Sequence, residues 1–189
     1  NMAGQTQRAI RETFLTLLDE RPLHEITVKL IVERCGINRK TFYNHYRDIP
    51  DLMEQILTDE ADAIMARYTQ VDSFEACMSH AIEFALQNRR AVLHIYRSVG
   101  RDVYVENTLK LCDYLVRTYL AKVEGAAELD REDYEILVRL YRGQLFGLIT
   151  DWMMQGMQSD SLENFHRVCA LRSGMTEELI RRSLQEKRK

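Results

Sequence analysis

Proline is nearly missing from this chain of 189 residues. It occurs twice, and glycine eight times. With so few turn formers, an all-β fold with many tight reversals is excluded, and no low-complexity tract suggests disorder. The four cysteines, Cys35, Cys77, Cys112 and Cys169, stand 35 or more residues apart. They form neither a CxxC pair nor a zinc-type spacing, so they read as free thiols in a reduced, cytoplasmic protein. No signal peptide is evident and no apolar run is long enough to span a bilayer, so no membrane partner is expected. Asn1 ahead of Met2 reads as a remnant, with Met2 as the native start. Gly-rich phosphate loops, nucleophile elbows and paired carboxylates are missing as well. An enzyme reading therefore has no feature to rest on, and no cofactor is implied.

What is present is helical periodicity. Apolar residues make up 46% of the chain, enough for a substantial core, and they recur at helical spacing almost everywhere. Ile10, Phe14, Leu17 and Leu18 stripe a first helix that ends before Pro22. Thr27 can cap a second, which stops at Gly36; Asn38 can cap a short third; Pro50-Asp51 opens a fourth. Asp72 and Glu75 resemble a capping box for a fifth, and a short sixth ends near Gly100. A seventh covers about Val103 to Val123 and an eighth about Glu132 to Gln155, with a loop between them. A ninth starts near Ser159-Asp160, and Thr176 could cap a last segment. The expected fold is all-α: a three-helix N-terminal domain over residues 1–49 and a larger helical domain over 50–189.

The charge is uneven. Residues 1–50 carry eight Lys/Arg against six Asp/Glu, while the rest carries eighteen against twenty-three. A nucleic-acid-binding head on a non-binding body shows this pattern, and so does a merely solvated face. The stretch TVKLIVERCGINRKTFYNHYRD, residues 27–48, sharpens the choice. Two short helices joined at a Gly turn are the parts of a helix-turn-helix, whose second helix puts its N-terminal residues against base edges in the major groove. Arg39, Lys40 and Thr41 stand at that end, with Asn44 about one turn further on. Arg and Lys donate to guanine, and Asn pairs with adenine. Tyr43 and His45 can bond phosphates, which positions a protein without reading sequence. Phe42 falls on the other face and belongs to the core. The alternative is a surface helical hairpin whose aromatics pack internally.

The longer segment AIRETFLTLLDERPLHEITVKLIVERCGINRKTFYNHYRDIPDLMEQIL resembles the N-terminal domain of the TetR/AcrR family of transcriptional regulators. The resemblance lies in the apolar first helix, the Gly turn followed by TFY and HY, and the Leu-rich fourth helix. It implies a DNA-binding regulator, a ligand-responsive repressor acting as a homodimer on a palindromic double-stranded operator. It further implies that Thr27 and Lys29 meet backbone or adjacent bases, that Arg39, Lys40, Thr41 and Asn44 face the groove behind the Asn38 cap, and that Tyr43 and His45 hold phosphates. Two positions depart from the family. Ile49 stands where a Lys is common, with Arg47 as a substitute, and Cys35 replaces a small residue and reads as a small hydrophobe.

In the C-terminal region, Gly143 and Gly147 lie four apart on an apolar helix that also bears Leu148 and Trp152. Small residues at that spacing let another helix approach, so a pair of such helices from each subunit can form a four-helix dimer interface. An ordinary buried helix in a monomer fits too. A small-molecule effector would be lined by adaptable side chains, for which Met65, Phe84, His94, Tyr96, Tyr104, Tyr114 and Tyr119 are candidates. Cys77, His80 and Glu83 share one helical face, but no fourth ligand accompanies them and no metal site is assigned. The competing classes are a helical protein–protein adaptor with a degenerate head, and a helical small-molecule carrier or enzyme.

Overall fold

The computed structural model describes residues 2–68, 74–158 and 160–186, and the described elements are all helical. They are α1 (Met2–Glu20), α2 (Val28–Cys35), α3 (Arg39–Tyr43), α4 (Ile49–Tyr68), α5 (Phe74–Gln87), α6 (Arg89–Ser98), α7 (Arg101–Leu120), α8 (Arg131–Met154), α9 (Ser161–Arg172) and α10 (Met175–Glu186). Short 3₁₀ turns lie at Leu23–Glu25 and Ala126–Glu128. Among the described residues no helix is long and apolar enough to cross a membrane. The expected Asp72 cap, the Ser159 helix start and the Cys77 side chain lie outside what is described.

The chain forms two compact units. The first, the head, takes in residues up to Glu60 together with Asn88–Val105. Its core joins Ile10, Phe14, Leu17 and Leu18 of α1 to Ile31 and Val32 of α2, Phe42 of α3, Tyr46, and Leu52, Met53 and Ile56 of α4. Ala91 and Ile95 of α6 complete it. The head thus runs past the expected division at residues 49 and 50. The first turns of α4 are apolar on the side that closes the core, and α6 returns to it from some thirty residues downstream of Glu60.

The second unit, the body, contains Ala61–Gln87 and the chain from Glu106 onward. Val116 and Leu120 of α7, Leu137, Val138 and Tyr141 of α8, and Ile180 of α10 form its main core. Arg117 ties α7 to α8: its guanidinium donates to Glu135 at 2.8 and 3.0 Å and to Asp113 at 2.7 Å. Asp130 caps α8 by accepting the Asp133 N–H at 2.9 Å. Thr176 is not the expected cap. Gly174, at φ +79°, ends α9, and Thr176 lies within α10, 2% exposed. Its hydroxyl takes the hydrogen of Tyr119 at 3.0 Å and bonds Tyr141 at 3.0 Å. A buried hydroxyl needs such partners more than a helix end needs a cap.

Candidate functional site

The helix-turn-helix is built from local bonds. The Thr27 hydroxyl accepts the Leu30 N–H at 3.2 Å and starts α2. Gly36, at φ +68°, ends it in the left-handed region, where a side chain is strained. The Ile37 N–H then donates to the Val32 carbonyl at 3.0 Å, the six-to-one bond of a Schellman turn. Asn38 starts α3 by accepting the Thr41 N–H at 2.8 Å. Asp48 and Asp51 hold the start of α4. Asp48 accepts the Asp51 N–H, and Asp51 accepts the Arg47 N–H, both at 2.8 Å. That backbone bond from Arg47 keeps the Asp51 carboxyl below its usual range, despite partial burial.

Packing sorts the aromatics. Phe42 is fully buried and Tyr46 1% exposed, whereas Tyr43 is 54% exposed with its ring edge against Phe42, centroids 5.5 Å apart. His45 is half-buried beside Tyr46. The cations are sorted by partners. Arg34 is spent on Glu20, with bonds of 3.0 and 2.7 Å that clip α2 to α1, and Arg11 pairs with Asp59 and Glu60. Arg39 and Lys40 are exposed and, among the described residues, form no ion pair. Lys29 lies 3.8 Å from Glu33, both well exposed. Such a pair is worth about 0–1 kcal/mol and opens easily to a phosphate.

Thr27, Lys29, Asn38, Arg39, Lys40, Tyr43 and Asn44 are therefore all exposed in and around the turn. Thr41 is half-buried, and its hydroxyl hydrogen goes to Asn38 Oδ1 at 3.0 Å. It has an acceptor and a methyl left, not a donor. Ile49 packs on the head core, while Arg47, 81% exposed, lies 3.6 Å from Asp51. Cys35 is half-buried against the same core, 3.1 Å from the Thr13 hydroxyl.

The body candidates scatter. Met65 and Tyr114 line one shallow surface depression, Phe84 is exposed under Arg67, and Tyr96 packs edge-on to Tyr104 within the head, as does α6 with its half-buried His94. Of the effector candidates Tyr119 lines the cavity of about 350 Å³ among α7, α8, α9 and α10, and Leu148 of the dimer candidates lines it too. Its other walls, Val116, Tyr141, Leu145, Phe165, Val168 and Arg172, carry no local signal, because a cavity is a product of helix packing. Burial pushes the Cys169 thiol up, so in this lining it is an apolar group. Gly143, Gly147 and Leu148 line an exposed apolar groove with Leu140 and Met175, whereas Trp152 lines a separate cavity with Met78 and Ile82. His80 and Glu83 are exposed, and among the described residues no group of three or more ligating side chains is placed to hold a metal.

Comparison with known proteins agrees with this geometry. Residues 10–56 match the family described as bacterial regulatory proteins, tetR family, and residues 72–174 match the transcriptional regulator C-terminal region of the TetR type. No curated protein sequence matches. Among solved structures, the dihydroxyacetone kinase operon activator DhaS is similar with a TM-score of 0.71 at 15% identity, over 88% of this chain and 93% of its own. A TetR transcriptional regulator from Rhodococcus sp. RHA1 gives 0.57 at 18% identity, over 90% and 97%. The fatty acid degradation regulator FadR from Bacillus halodurans gives 0.56 at 16%, over 87% and 93%. These identities speak to the fold, and the two family matches carry the assignment. The family is not one of enzymes, and the chain belongs to it: this is a DNA-binding transcriptional regulator of the TetR family.

Proposed function

We propose that the protein is a ligand-responsive repressor that binds a palindromic operator as a homodimer. The observation that carries the DNA-reading part is the exposed Arg39-Lys40 edge at the start of α3, which forms no ion pair among the described residues while Arg11 and Arg34 are held by acids. The dimer part is supported by α8. Ile136, Leu140, Gly143, Gly147 and Met154 fall on one helical stripe, and its three large side chains are 48%, 44% and 73% exposed. A Cβ built on either glycine meets nothing within 4 Å. Mid-helix glycine costs about 0.5–1 kcal/mol relative to alanine, so two of them without use inside the chain suit a second helix arriving from outside.

The test is selection of bound sequences from random DNA at fixed salt, since phosphate contacts make affinity salt-dependent. A pair of inverted half-sites is expected, spaced by whole helical turns. Absence of any enriched sequence overturns the reading in favour of a protein–protein adaptor. On the selected operator, Arg39→Ala or Lys40→Ala should cost about 1–3 kcal/mol and relax the preference at one base position. Equal loss on every sequence assigns the residue to phosphate instead. Tyr43→Phe removes one hydroxyl and keeps the ring against Phe42. It should weaken operator and random DNA by a similar factor and leave the selected sequence unchanged. A changed sequence or an unfolded head sinks that assignment.

Activation is the second reading, because the similar solved structure with the TM-score of 0.71 is that of an operon activator, DhaS. Repression needs only occupancy of the promoter, whereas activation needs a contact with the transcription machinery. A reporter placed behind the selected operator separates them: expression rises on deletion of a repressor and falls on deletion of an activator.

A further inference from the structure

The body cavity among α7, α8, α9 and α10 has an uneven chemistry. Val116, Leu145, Leu148, Phe165 and Val168 make most of its wall apolar. Leu145, Leu148, Phe165 and Val168 are shared with the neighbouring cavity of about 330 Å³, so an apolar chain can follow them. Among its polar groups, Arg172 and a cluster of three hydroxyls offer hydrogens. Arg172 stacks over Tyr141, its Cζ 4.6 Å from the ring centroid, and donates to the neutral Gln144 side chain at 2.9 Å. No ion pair is formed by Arg172 among the described residues. Tyr119, Thr176 and Tyr141 own three hydroxyl hydrogens and make two bonds among themselves. Tyr119 gives its hydrogen to Thr176, so one hydrogen is left over on Thr176 or Tyr141, which are 2% and 6% exposed. A buried donor of this kind calls for an acceptor.

Neither acid in the lining is paired with Arg172. Glu75 is taken by His166 at 2.7 Å, and Glu177 is exposed in the first turn of α10. Arg172 has no carboxylate partner among the described residues. A carboxylate fits it: guanidinium and carboxylate match in a two-pronged geometry, and a guanidinium held on an aromatic face is already oriented for it. At about 350 Å³ the cavity stands near the lower end of the ~300–1,000 Å³ range of ligand pockets, which suits a small ligand.

We infer that this cavity binds a small apolar monocarboxylate, with its carboxylate on Arg172 and the surplus hydroxyl hydrogen and its chain along Leu145, Phe165 and Val168. The inference rests on the ligand-responsive reading above and names the chemical class of the effector.

The experiment uses the full chain, calorimetric titration, and the selected operator. The probes are hexanoate, decanoate and phenylbutyrate, each with its methyl ester and primary amide. The acids are expected to bind, with ester and amide weaker by about ten- to a hundredfold, the worth of a charge-assisted bond. Arg172→Gln should lose that discrimination, and Arg172→Lys should keep part of it. Leu145→Trp, which fills the cavity, should abolish binding of all three forms. Equal binding of acid and amide, undiminished acid binding by Arg172→Gln, or no binding by any of the acids overturns the inference. The two readings fail separately. Arg172-dependent acid binding with unchanged operator affinity upholds the site and ends the ligand-responsive reading. Operator release by the acids that is undiminished in Arg172→Gln keeps the ligand-responsive reading and ends the site.

Discussion

Gly147→Trp is expected to yield a folded monomer that has lost its operator. Gly147 sits in the middle of the exposed α8 stripe, and its missing side chain leaves open space within the chain. A Cβ at that position meets nothing within 4 Å, so a new side chain starts into open space. A second α8 lying against it would be driven away by the full width of the ring. Two heads joined in a dimer bind cooperatively because the second binding event is intramolecular, and uncoupling them removes about 10²–10⁴ in apparent affinity. Sedimentation and operator titration at one salt concentration test this together, with circular dichroism as the folding control. The alanine variants sharpen the result. In a monomer, Gly143→Ala and Gly147→Ala should each stabilise α8 by about 0.5–1 kcal/mol. In a dimer with close helix approach they should weaken association instead. Wild-type protein that sediments as a monomer at micromolar concentration and still binds tightly would sink the dimer.

The second large effect lies one residue away from a small one. Phe42→Ala should cost about 3–5 kcal/mol, since a fully buried ring leaves a cavity as well as lost transfer energy. Domains are stable by about 5–15 kcal/mol, so the head would be close to its limit. DNA binding should fall in proportion to the unfolded fraction, and hydrogen exchange should rise across α1 to α4. Phe42→Leu, which keeps most of the volume, should cost far less. Tyr43, next in the chain and 54% exposed, should tolerate loss of its hydroxyl with no change in melting temperature. If Phe42→Ala melted with the wild type, the assignment of Phe42 to the head core would be wrong.

That contrast shows which parts of the protein were legible in its sequence. Thr27, Gly36 and Asn38 act through bonds that span three to five residues, so residue type and spacing were sufficient to place them. Phe42 and Tyr43 could be separated by helical phase alone. The return of α6 to the head core could not be read, because Ala91 and Ile95 look like core residues of any helix and nothing local says which core. Thr176 departs from the sequence expectation for a related reason. A threonine after glycine has the chemistry of a cap, and only tertiary packing brings Tyr119 and Tyr141 to its hydroxyl. The effector candidates share only a side-chain type, and packing spreads them over both units. Arg172 carries no sequence signal of its own, since an arginine in the last turn of a helix is ordinarily a favourable partner of the helix dipole.

The discontinuous head also bears on protein engineering. Regulators of this architecture invite chimeras in which one DNA-reading cassette is grafted onto another sensor. A cut after Glu60 would carry every base-reading candidate and still leave the cassette incomplete, because residues 88–105 would stay behind with the donor's sensor. The graft would expose the surface of Ile10, Phe14 and their neighbours that Ala91 and Ile95 normally cover, or cover it with a foreign α6 of the wrong shape. Such a hybrid should express poorly and aggregate. It should recover when the recipient's sixth helix is rewritten to carry Ala91, Ile95 and Val99 in register.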